Sequence, residues 1–146
     1  MVHALEEIRR LLKPDGCLID IHPTREAKFI KVHRGNDILF AESDPSYCGE
    51  DVKQAEEALT QVIQRGLFTM EHEGKFDLPV YGSSIAELQE FLAENEAYDD
   101  SPMNEEVEAR MLELFTRVES VLKGTGAGSE VAYHERARIT RLRPSA

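Results

Sequence analysis

No stretch of this sequence is apolar for anything near the ~20 residues that a bilayer-crossing helix needs, so contact with a membrane through such a helix is not expected. The opening, MVHALEEIRRLL, is amphipathic and mixed in charge and lacks the basic leader and small-residue cleavage site of a signal peptide. A soluble cytoplasmic protein is the expectation. Cysteine is scarce: Cys17 and Cys48 stand alone, with no C-x-x-C and no Cys/His ligand spacing, which argues against a structural zinc site and a disulfide framework. The histidines, His3, His22, His33, His72 and His134, are scattered rather than spaced for ligation, so no metal site is expected. There is no G-x-S-x-G elbow and no partner that the sequence assigns to either cysteine, and nucleophilic catalysis therefore has no support. Internal repeats and low-complexity segments are absent too.

What is present is enough for one domain over residues 1–146: 41% of the chain is apolar, which builds one core but not two full ones. The formal charge is −11, with much of the acid between Glu87 and Glu119, a field that repels a phosphate backbone and makes nucleic acid an unsuitable partner. The one basic cluster is Arg136, Arg138, Arg141 and Arg143. It could hold an anion or face acidic helices of the same chain, and the abundance of acid favours the second.

Residues Val2 to Leu12 carry Leu5, Ile8, Leu11 and Leu12 at helical spacing, and Lys13-Pro14-Asp15-Gly16 ends that helix. CLIDI, residues 17 to 21, follows as a nearly all-apolar strand, the pattern of a strand covered on both faces. AKFIKVHRGNDILFAES reads as a hairpin turning at Arg34-Gly35-Asn36-Asp37 and flanking the main sheet. A helix from about Glu50 to Arg65 comes next, stopped by Gly66. LFTMEHEGKFDLPVYGS reads as one long strand, or two short ones bent at Gly74. Ser83 or Ser84 caps the following helix, with Glu87 in the capping-box position, and NEAYDDSP breaks it. A final helix from about Asn104 to Leu122 and a strand, EVAYHERARITRL, complete an α+β sheet of about five strands with helices packed on it.

Three stretches invite a functional reading. KGTGAGSEV resembles a nucleotide-cradling glycine loop, but those loops follow a strand and open a helix, and here the order is reversed; a helix C-cap is the better reading. DIHPTRE places Asp20, His22 and Arg25 at or just beyond the carboxyl end of a strand, with Asp20 and His22 on one face, so that His22 is a candidate base or substrate contact. The competing reading is a turn histidine satisfied locally. In EHEGKFD, strand alternation sends His72 away from Glu71 and Glu73, so these groups do not converge.

The run ALEEIRRLLKPDGCLIDIHP, positions 4 to 23, resembles the middle of class I S-adenosylmethionine-dependent methyltransferases, where a helix of the form A-L-x-E-x-x-R-V-L-K-P-G-G leads into the fifth strand of a doubly wound sheet. Asp15 stands where that family usually has glycine. EEALTQVIQRGLF, FDLPVYGSSIAELQEFL and the last helix with its strand ending ITRLRP look like the C-terminal half of such enzymes. The resemblance implies a partial, Rossmann-derived mixed sheet. The family holds its cofactor through an N-terminal strand with G-x-G-x-G and an acidic residue on the second strand, and this chain begins after both, so no cofactor-binding residue is carried over to it.

On that resemblance the strand Cys17 to Ile21 loses one neighbour, and a bare apolar edge invites pairing. A homodimer, or a methyltransferase-like partner chain, is expected to cover it. The expected role is assembly without catalysis by the chain alone. The alternatives are a methyltransferase that uses S-adenosylmethionine as an oligomer or with a separately encoded N-terminal half, with His22 and Arg25 nearest the acceptor, and a small-molecule binding protein.

Overall fold

Pro14 excludes a helical Lys13, and the first helix is already finished at Leu12, whose backbone is extended (ψ 140°). The Gly16 N–H then donates to the Lys13 carbonyl at 2.9 Å, closing the turn that launches the first strand. In the computed structural model, which describes residues 1–96 and 104–145, the order is α1 (Val2–Leu11), β1 (Leu18–Pro23), β2 (Phe29–Arg34), β3 (Asp37–Ser43), α2 (Glu50–Gln64), β4 (Phe68–Gly82), α3 (Ile85–Glu96), α4 (Glu105–Thr125) and β5 (Ser129–Pro144).

Among the described residues the architecture is α+β, an open five-stranded antiparallel sheet with four helices. The strand order is β1-β5-β2-β3, with β4 also paired to β5. The expected mixed sheet is thus corrected to an antiparallel one, because the returning strand β5 runs against both β1 and β2. The hairpin does not flank the sheet but belongs to it. β2 pairs β3 from Phe29↔Ser43 to Arg34↔Asp37 around the Gly35-Asn36 turn, and Gly35 (φ +60°) takes a left-handed conformation that side chains resist. β4 is one uninterrupted strand through Gly74.

The chain's contacts gather into two compact units. One comprises Met1–Glu26, Cys48–Asp77 and Arg136–Ala146. Its core joins Leu5 of α1, Ala58, Leu59 and Val62 of α2, Phe68 of β4 and Leu142 of β5. Gly66 (φ +69°) stops α2, and Arg9 ties the unit together by donating to the carbonyls of Leu67 and Ser145, each at 3.0 Å.

The other unit comprises Ala27–Tyr47 and Leu78–Glu135. Here Ile30 and Val32 of β2 and Val131 and Tyr133 of β5 pack against Leu88 of α3 and Met111, Leu114 and Val118 of α4. Those helical residues recur at three and four positions, the spacing of one buried stripe. Ser84 Oγ accepts from the Glu87 N–H at 3.2 Å, while the Glu87 carboxylate accepts from the Ser83 N–H at 2.7 Å, so both serines serve the cap. Asn104 caps α4 by accepting from the Val107 N–H at 2.9 Å. Most of the NEAYDDSP breaker lies outside the described residues.

Two expectations are overturned in the first unit. β1 is not covered on both faces: Ile19 and Ile21 are 48% and 58% exposed. Among the described residues it is an end strand whose one strand neighbour is β5, which leaves one face and one edge without a paired strand. The C-terminal arginines do not face acidic helices. Arg138, Arg141 and Arg143 meet Glu73 and Glu71 of β4, and Arg136 meets Asp77 of β4 and Glu26, because β4 lies directly alongside β5.

Candidate functional site

β1 alternates as a one-sided strand must. Leu18, Asp20 and His22 are partly buried, while Ile19 and Ile21 point outward. Two-residue spacing brings Asp20 and His22 together: His22 Nδ1 stands 2.6 Å from Asp20 Oδ2, with the His22 side chain only 10% exposed. A carboxylate on Nδ1 fixes the ring's orientation and leaves Nε2 as the working nitrogen. Nε2 is buried and meets no hydrogen-bonding group.

The ladder extends this polar seam onto β5. Asp20 pairs Thr140 and His22 pairs Arg138, so the four side chains share one face. Thr140 is 1% exposed. Its Oγ1, like Arg138 Nε, lacks a hydrogen-bond partner. Arg138 also donates to Glu73 at 2.6 Å, and both line a charged cavity of about 410 Å³ with Arg25, Glu26, Glu56 and Lys75. The structure therefore joins two of the three candidate residues as a dyad. It places the exposed Arg25 on the wall of that cavity, which Asp20 and His22 do not line.

Neither a family model, nor a curated protein, nor a solved structure matches this chain. Its chemistry is read from its own residues. The seam can accept a proton at His22 Nε2, and the cavity presents cations and carboxylates in near-equal number, an environment for a polar or zwitterionic group rather than a simple anion.

Hydrogen bonding from Arg143 holds the Glu71 carboxyl below the usual range, and Arg141 adds to it. Lys75, with Arg136, does the same for Glu26. His72 is exposed while Glu71 and Glu73 take arginine partners, so the EHE run does not converge. The glycines at 124 to 128 end α4, with Gly126 and Gly128 at φ +78° and +87°. They offer the carbonyl end of a helix and not the N–H end that anions require.

A second cluster, in the other unit, was not visible in the sequence. His33 Nε2 and His134 Nε2 lie 2.9 Å apart, with Tyr81 edge-on to both rings at 5.8 and 6.4 Å. Their 101-residue separation hides them; only the β2–β5 pairing brings them to one place. Among the described residues no group of three His, Cys, Asp or Glu side chains is assembled for a metal, and no helix is long and apolar enough to cross a membrane.

Proposed function

We propose that this chain is a methyltransferase-like module that acts by pairing with a second copy of itself and is not catalytic alone. One observation carries the reading: β1, the strand at the heart of the resemblance, is an end strand whose outward residues Ile19 and Ile21 are bare. Ile139, the register partner of Ile21, is 37% exposed and continues the apolar strip onto β5. Unpaired edges and apolar strips of this kind are what natural proteins cover. A twofold axis presents the strip to its own copy and satisfies both edges at once.

The methyltransferase likeness is supported by the helix, Pro-Asp-Gly turn and strand over positions 4–23, and by a last helix whose following strand returns to pair with β1. The glycine loop closes α4 instead of opening a helix, which supports reading S-adenosylmethionine as held elsewhere in an assembly. The cofactor accordingly belongs to a completing partner. Light scattering across a concentration series, with amide exchange read at Leu18–Ile21, tests the proposal. A dimer with slow exchange on β1 is expected; a monodisperse monomer with rapid exchange there sinks it.

A second reading has its own observation, the Asp20–His22 dyad with a buried, unengaged Nε2. In an assembly that supplies S-adenosylmethionine, His22 takes the proton of the methyl acceptor and Arg25 contacts the substrate. His22→Ala is expected to lower turnover of that assembly without unfolding the chain, and unchanged turnover removes the assignment.

A further inference from the structure

Two imidazole nitrogens directed at each other at 2.9 Å need a proton between them, since two facing lone pairs repel. The His33 and His134 rings are close to coplanar, 19° apart, with centroids at 5.0 Å, so the two Nε2 atoms meet tip to tip. One ring then donates its Nε2 proton to the lone pair of the other. We propose that this pair is a binding site for a late first-row transition-metal dication, with Zn²⁺ as its simplest occupant.

The geometry is near what such a cation needs. With Zn–N near 2.0–2.1 Å and a tetrahedral angle, two nitrogen ligands stand about 3.3 Å apart, so the pair has only to open by about 0.4 Å from its present 2.9 Å. The chemistry balances without a redox step. Both rings stay neutral, the donor ring moves its proton from Nε2 to Nδ1 through solvent, and two Nε2 lone pairs then bind the cation. Imidazole suits zinc, copper and nickel, whereas magnesium and calcium prefer oxygen donors.

The surroundings accommodate it. Residues 29, 31 and 33 of β2 share a face with 130, 132 and 134 of β5, and the small, fully buried Ala132 leaves the space over which the rings meet. Glu130 stands directly opposite His33 in the ladder, close enough for a rotamer change to offer a carboxylate; water takes the remaining positions. Lys31, the cation on this face, has its ammonium drawn over the Phe29 ring at 5.8 Å. Tyr81 is 54% exposed, so the rings are screened on one side by an aromatic group that solvent still reaches.

The experiment is calorimetric titration of metal-free protein with ZnCl₂, alongside His33→Asn and His134→Asn. One site of micromolar affinity is expected, weakened about tenfold or more in each variant, as loss of one of two ligands demands. Histidine ¹⁵N spectra of the unsubstituted protein give a measure independent of variant folding: Zn²⁺ must move the His33 and His134 resonances together toward the Nδ1–H tautomer. Binding only at millimolar metal, binding insensitive to both substitutions, or shifts confined to His3, His22 or His72 would overturn the proposal and leave a proton as the sole occupant.

Discussion

Tyr133 and Asp44, 89 residues apart, meet in the second unit's core, where the phenol donates to the carboxylate at 2.7 Å. Asp44 also accepts from the N–H and hydroxyl of Ser46, at 2.8 and 2.6 Å, so both oxygens of a carboxylate only 6% exposed have partners. Tyr133→Phe removes one charge-assisted bond and leaves an acceptor buried, a loss of about 1.5–3 kcal/mol in urea unfolding. Burial, with the Asp44 charge and hydrogen bond, raises the phenol's pKa above its ordinary value. The unfolded phenol ionises near pH ~10 and the folded one resists. The stabilisation is therefore whole below that point and declines as pH rises beyond it. Unfolding free energy should fall above about pH 10 in the native sequence and less steeply in Tyr133→Phe; equal slopes would sink the assignment. The Asp20–His22 pair was legible in the sequence because strand alternation is a two-residue rule. Tyr133–Asp44 and His33–His134 were not, since each depends on which distant strands pair.

At the scale of elements, helix boundaries and the hairpin follow from proline, glycine, serine and asparagine acting within a few residues, and those were readable. The sheet was not. CLIDI has the composition of a doubly covered strand, yet hydrophobicity does not specify how many neighbours a strand acquires, and β1 acquires one. The terminal arginines were paired with the wrong acid for the same reason, because proximity in sequence to acidic helices does not reveal that β4 lies beside β5. That ladder makes a prediction about acid. Glu71, held low first by Arg143, and Glu26, held low first by Lys75, favour the folded state above the ordinary carboxyl range. The contribution is lost as pH falls through their lowered folded values. Amide protection along residues 68–77, taken relative to the intrinsic exchange rate at each pH, should fall below about pH 4 and at higher pH when salt is high, which screens partly exposed pairs. Exchange on β4 indifferent to both acid and salt would mean that the arginine pairs contribute nothing.

For the whole molecule, the open edge and its net charge of −11 act in opposite directions. Uniform negative charge discourages indiscriminate association, so a stable dimer must be held by a short, specific strip. Ile21 is the place to test this. Its side chain is 58% exposed, so Ile21→Lys removes little from the fold itself. A lysine on an edge strand is also the device by which natural sheets block pairing. The variant should keep the unfolding midpoint expected for a monomer of equal stability and lose concentration dependence, while light scattering falls from dimer to monomer mass. A variant that remains dimeric, with β1 amides still slow to exchange, would move the interface away from this edge and take the assembly reading with it.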